Sequence, residues 1–197
     1  MKIDPYQLPG QALLRWWIPA ILLSLIALFL VACQPVSLPK GNLVKVDQVI
    51  SGQALEIVGG NVDMPLQRVL LLGIEAPDLE QEPWGQQSRD YLAQFLSSPS
   101  HGSRQAPSPW LRMETDVQER DSQNRPLIYL WKDGILVNER LVEAGLALAA
   151  GRSPNLKYDI RLSRAQEKAR LLGVGLWHPD HPMRQTPSEF RLHGLQN

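Results

Sequence analysis

The sequence predicts an α+β fold, mainly a small closed β-barrel with helices packed against it. Three observations point there. Five short runs with strand character are set off by turn residues rich in Gly, Pro and Asn. Helical periodicity is confined to stretches between and after those runs. The chain also holds a single cysteine, Cys33, so no internal disulfide can staple it. A closed sheet needs no such protection, because closure removes the exposed edges.

The first part of the chain does not read as barrel. Residues 1–15 are polar and carry Lys2 and Arg15, residues 16–32 carry no charge, and Cys33 follows. This is the layout of a secretory signal, with a basic start, an apolar middle and small residues at the cut. Leu30-Val31-Ala32-Cys33 resembles a bacterial lipobox, which implies cleavage before Cys33 and lipid attachment to it. The other reading is an uncleaved membrane helix, but the apolar run falls short of the roughly 20 residues that span a bilayer. Either way, the remainder is expected outside the cytoplasm, membrane-anchored on a bacterium. Taking Lys2, Arg15 and Asp4 from 20 basic and 20 acidic residues leaves 18 and 19, a mature net charge of −1. That balance excludes the strongly basic class of dedicated duplex-DNA binders. About 165 residues remain, enough for one domain with a real core.

Residues 33–41, with two prolines and a closing glycine, read as a tether to a folded domain over 42–178. Leu43–Ile50 and Ala54–Val58 are the first two strands, joined through Ser51-Gly52, and Gly59-Gly60-Asn61 is a turn. Pro65–Gly73 is the third strand of a meander. Pro83 can start a helix that places Trp84, Tyr91, Leu92, Phe95 and Leu96 on one face. Ser97–Pro109 is a Ser/Pro-rich loop, and Trp110–Val117 and Pro126–Trp131 are the last two strands. After the Lys132-Asp133-Gly134 turn, a short helix is expected over Ile135–Ala144, ended by Gly145 in the left-handed region. A final helix over Leu156–Leu172 buries Tyr158, Leu162, Ala165, Ala169 and Leu172, and residues 179–197 are expected to be an irregular tail. Five strands with such helices suggest an OB-fold barrel.

Four stretches then agree in order and spacing: LLGIEAPD (71–78), PWGQQSRDYLAQFL (83–96), RDSQNRPLIYLWKDGILVNERLVEAGLA (120–147) and AQEKAR…GLW (165–177). Together they resemble the thermonuclease family, the staphylococcal-nuclease-like proteins, over roughly residues 43–177. The resemblance implies a five-stranded OB barrel of the staphylococcal-nuclease type. It also implies Ca²⁺-assisted hydrolysis of nucleic-acid phosphodiesters, with single-stranded or unstructured nucleic acid as partner. Such chemistry needs hard oxygen ligands for the cation and a carboxylate to activate water. It also needs guanidiniums to neutralise the charge developing on phosphate oxygens.

Mapped position by position, the resemblance puts metal-ligand roles on Gln53, Glu75 and the Ala76 carbonyl, water activation on Asp78 and phosphate contact on Arg125. The correspondence departs from the family pattern. Gln53 stands where the family has an Asp, Glu75 where it has Asp, and Asp78 where it has Glu. Leu70 stands where the family has its first arginine, and Asn124 replaces the glycine of the turn before Arg125. One such electrostatic donor is worth roughly 10²–10³ in rate. The expectation is therefore a nuclease-like domain with weak or lost hydrolysis and weakened calcium binding. The alternative is a non-catalytic module for nucleic acid, another anionic ligand or an envelope protein.

From the residues alone, Glu75 and Asp78 also fit a solvated strand end, and Arg125 a turn residue. Arg68 reads as a rim cation or as a reach-back substitute for the missing arginine. Asp116 and Asp121 read as turn caps. Lys157, Arg161, Arg164 and Lys168 form a basic stripe on the last helix, expected to be a solvated face, with anionic lipid or nucleic acid as the other reading. His178 and His181 have metal-binding side chains but no further ligands nearby in sequence.

Overall fold

The computed structural model describes residues 41–59, 65–99 and 110–194. The expected signal peptide, Cys33 and most of the tether and Ser/Pro loop lie outside these residues. Among the described residues, no helix is long and apolar enough to cross a membrane.

Strands β1 (Asn42–Val49), β2 (Ala54–Gly59) and β3 (Gln67–Leu71) form the expected antiparallel meander. A bulge between Val46 and Gln48 breaks the β1–β2 register, the kind of irregularity that bends a strand round a barrel. The chain then makes a two-residue strand β4 (Ile74–Glu75) and helix α1 (Trp84–Ser97). Strand β5 (Leu111–Glu114) pairs with β1, and β6 (Leu127–Lys132) pairs with β5. Finally β6 lies parallel to β3, with Leu70 opposite Leu127 and Leu71 opposite Ile128. That pairing closes the ring β3-β2-β1-β5-β6. The α+β class and the five-stranded OB-type barrel are therefore as the sequence predicts.

Val44, Leu55, Ile57, Val69, Ile128 and Leu130 are fully buried inside the ring. Each lies on the inward side of an alternating strand, or on β6, which is covered on both faces. Leu92 is the fully buried apolar side chain of α1, with Tyr91, Phe95 and Leu96 packed partly against the core.

Several boundaries move. The fourth strand stops at Glu114, and Asp116 instead accepts a hydrogen bond from the Lys157 N–H at 3.1 Å. Asp133 and Gly134, at φ 51° and 80°, make a tight hairpin that lets Ile135–Leu136 pair back on β6 as β7. Helix α2 therefore spans Val137–Glu143. Gly145 ends it at φ 67°, so close to the Val174 carbonyl that a Cβ would sit 2.2 Å from the oxygen. Strand β8 (Leu148–Ala149) pairs with β4, and α3 spans Asp159–Leu172. Its stripe buries Leu162, Ala165 and Ala169, but Leu172 is exposed.

The expected irregular tail is corrected. Residues Pro187–Gly194 form helix α4. Thr186 and Glu189 cap it reciprocally: the Glu189 carboxylate accepts from the Thr186 N–H at 2.7 Å, and the Glu189 N–H donates to Thr186 Oγ1 at 3.3 Å. With Pro187 at the first helical position, this is a capping box.

Two buried polar side chains join the layers. Asn138 is fully buried, accepting from the Leu130 N–H at 3.0 Å and donating to the Leu72 carbonyl at 2.9 Å, which ties α2 to the barrel. Lys132 is 4% exposed, and its Nζ donates to the carbonyls of Phe95, Leu96 and Ser98 at 2.6, 2.9 and 2.6 Å. A cation on the last carbonyls of a helix satisfies groups that have no partner within it and opposes the helix dipole. Burial pulls this ammonium below its usual pKa, with the Asp133 charge working the other way.

Candidate active site

The turn from β1 to β2 and the segment Ile74–Asp78 face each other across one end of the barrel. Gly52 permits this approach, since a Cβ there would lie 1.9 Å from Ser88 Oγ and 2.9 Å from Ala76 Cβ. Gln53 follows, and its backbone carbonyl accepts from the Leu71 N–H at 2.9 Å.

The Gln53 side chain is committed to the backbone opposite. Its Nε2 donates to the Ile74 carbonyl at 2.8 Å, and its Oε1 lies 3.4 Å from the Ala76 N–H. An amide can make both contacts because it carries a donor and an acceptor, whereas a carboxylate cannot make the first. Glu75 is 8% exposed and Asp78 is more open. Both pair with the same cation, Arg191 of α4: Nη2 contacts Glu75 Oε1, and Nη1 lies 3.2 Å from Asp78 Oδ2. The arm before α4 is held by Gln81, whose Nε2 donates to the Gln185 carbonyl at 2.6 Å.

Arg125 occupies the turn before β6, which reaches β3 through a 2.9 Å hydrogen bond from the Leu70 N–H to the Pro126 carbonyl. Its Nε and Nη2 both lie 2.7 Å from Asp121 Oδ2. Asp121 also accepts from the N–H groups of Gln123 and Arg125, each at 2.9 Å, and Asn124 takes φ 63°. Burial raises the Asp121 pKa, but the hydrogen bonds from Arg125 and Gln123 outweigh it and hold the carboxyl below its ordinary value. Asp121 is thus the expected turn cap.

The structure therefore brings Gln53, Glu75, Ala76 and Asp78 together. Among the described residues, no hydrogen bond or ion pair links Arg125 to them. Leu70 is partly buried on β3, opposite Ala54 and Leu127. Arg68 does not replace it, because its guanidinium pairs with Glu56 across the β2–β3 ladder at 3.0 Å. Three members of the basic stripe are also paired, Lys157 with Glu114, Arg161 with Glu139 and Lys168 with Glu143. The rings of His178 and His181 stack on each other at 6.2 Å.

Calcium takes six to eight oxygen ligands. Here the Gln53 amide is engaged with backbone and both carboxylates are engaged with Arg191. Among the described residues, no group of three or more His, Cys, Asp or Glu side chains is placed to hold a metal ion. The donors as arranged do not fit a resident calcium ion.

Arg191 and Gln81 are the site residues that sequence reasoning missed. A signal existed for the helix, since Thr186-Pro-Ser-Glu189 followed by Phe190 is a legible capping box. Nothing local to residue 191 points to Glu75, 116 positions away.

A family model described as Staphylococcal nuclease homologue matches residues 68–179. A thermonuclease of Staphylococcus hyicus is 29% identical over 138 residues, covering 68% of this chain and 74% of the relative. A thermonuclease of Staphylococcus intermedius is 27% identical over 143 residues, covering 70% of this chain and 77% of the relative. An SPbeta prophage-derived endonuclease, YokF, of Bacillus subtilis (strain 168) is 26% identical over 142 residues, covering 68% of this chain and 43% of the relative. The matched residues 68–179 take in the Glu75–Asp78 loop, strands β4 to β8 and helices α1 to α3, more than half of the chain, and the chain belongs to the staphylococcal nuclease homologue family.

Proposed function

We propose that this chain is a membrane-anchored, extracytoplasmic nuclease-family lipoprotein whose phosphodiester hydrolysis is weak or lost. The observation that carries the reading is Gln53. Its amide nitrogen sits on the Ile74 carbonyl at 2.8 Å, so the residue supports the backbone of the acid loop and adds no negative charge beside Glu75. Leu70 supports the same reading, because a hydrocarbon cannot neutralise phosphate charge. Losing one such donor removes roughly 10²–10³ in rate, and the losses of residues that act as a unit do not simply add. Any residual cleavage rests on Asp78 and Arg125.

The test incubates residues 34–197 with single-stranded DNA, with calcium or with chelator. The wild type is expected to cleave slowly or not at all, and Gln53→Asp combined with Leu70→Arg to gain chelator-sensitive cleavage that Arg125→Ala abolishes. Fast calcium-dependent digestion by the wild type refutes the reading. DNA binding without cleavage by any variant converts the barrel to a binding module. For the anchor, mass spectrometry of the membrane-extracted protein is expected to find a covalent lipid on Cys33, and Cys33→Ser to lose that lipid.

A further inference from the structure

We propose that the Arg191 guanidinium serves as the resident counter-cation of the Glu75–Asp78 pair, so that helix α4 is a built-in occupant which a divalent cation must displace. This deepens the reading above, and it rests on the arm rather than on Gln53. Three observations carry it. Glu75 is buried, and the side-chain partner of its carboxylate is Arg191. The same guanidinium reaches Asp78 with its other amino group at 3.2 Å, so one fork bridges both acids. The arm is also built to stay, through the Thr186–Glu189 capping box, the buried Pro187 and the Gln81–Gln185 hydrogen bond.

A buried carboxylate without a cation is strongly disfavoured. Removing Arg191 therefore creates a demand for positive charge where the arm previously met it. A divalent cation and the guanidinium compete for the same oxygens, so each weakens the other's hold. This explains why the donors do not fit calcium while the arm is docked.

The experiment titrates calcium alone into the wild-type chain and Arg191→Gln by calorimetry, with thermal unfolding measured with and without calcium. Arg191→Gln is expected to bind calcium at least about tenfold more tightly than wild type, equivalent to about 1.4 kcal/mol. It is also expected to unfold earlier than wild type in chelator and to recover with calcium, since a ligand of the folded state raises its stability. Hydrogen exchange of residues 185–194 in the wild type is expected to speed up as calcium saturates. Thr186→Ala with Glu189→Ala, which loosens the arm but keeps Arg191, covers the case in which Arg191→Gln does not fold, and is expected to bind calcium more tightly than wild type. Equal calcium affinity in wild type and variants, no binding by any of them, or an arm whose exchange ignores saturating calcium overturns the proposal. Those outcomes leave the cleavage test untouched, and active wild-type enzyme with an unresponsive arm separates the two failures in the other direction.

Discussion

Gln53→Glu changes one group without changing side-chain length, because the amide nitrogen becomes a carboxylate oxygen. In the structure that nitrogen donates to the carbonyl of Ile74 at 2.8 Å from a half-buried side chain. The substitution sets an acceptor against an acceptor, with the Glu75 carboxylate one residue along. Leaving a buried polar group without its partner costs about 1–3 kcal/mol. At about 2 kcal/mol, a domain of this size loses roughly 4–8 °C in Tm. The pH dependence has a definite sign. In the folded state the introduced carboxyl is favoured neutral, because its O–H can donate to Ile74, so its folded pKa lies above the unfolded value of about 4.3. The penalty is therefore full at pH 7 and shrinks as the pH falls towards about 4. Thermal unfolding of both proteins in chelator, at pH 7 and near pH 4, reads it directly. An unchanged Tm at pH 7, or a gap that widens in acid, refutes the argument that the amide is a backbone support.

Asn138→Ala leaves the Leu130 N–H and the Leu72 carbonyl without their side-chain partner in the core. A loss of roughly 2–5 kcal/mol is expected in urea unfolding. Glu114 is buried, and burial works to raise its pKa, yet hydrogen bonds from Lys157, Tyr158 and Trp131 win and hold it below 4.5. Its contribution to stability is thus present above the unfolded value and lost as the pH falls through the lower folded one. Glu114→Gln is expected to be less stable at pH 7 and to show a shallower acid limb in unfolding midpoints measured from pH 6 downward. Gly145→Ala must hold φ near 67° and push its Cβ against the Val174 carbonyl. It is expected to destabilise by more than about 1 kcal/mol in the same urea assay.

The barrel was legible because its information is local. Alternation in Ala54–Val58, the Asp133-Gly134 turn and the Gly145 stop each act within a few residues. The site was partly legible for the same reason, since LLGIEAPD carries both acids in one loop. What stayed hidden depends on long-range burial. Lys132 reads as a turn residue by sequence, but the fold lays its stem across α1 and buries the ammonium on three carbonyls. Gln53 reads as a missing acid, and only the register of β2 on β3 shows that its amide supports Ile74. Arg191 belongs to a segment whose proline content masked a short helix, and its partners lie more than 110 positions earlier.

The lysine beneath α1 also bears on what the neighbouring sequence can tolerate. Residues 100–109 follow a helix end whose final carbonyls already have their donor on β6. The cap comes from the sheet, so the last turn of α1 does not draw on the residues that follow it for those carbonyls. The end of α1 and strand β6 are thus locked together by one side chain, so a change that frays the helix there also strips a buried cation of its acceptors.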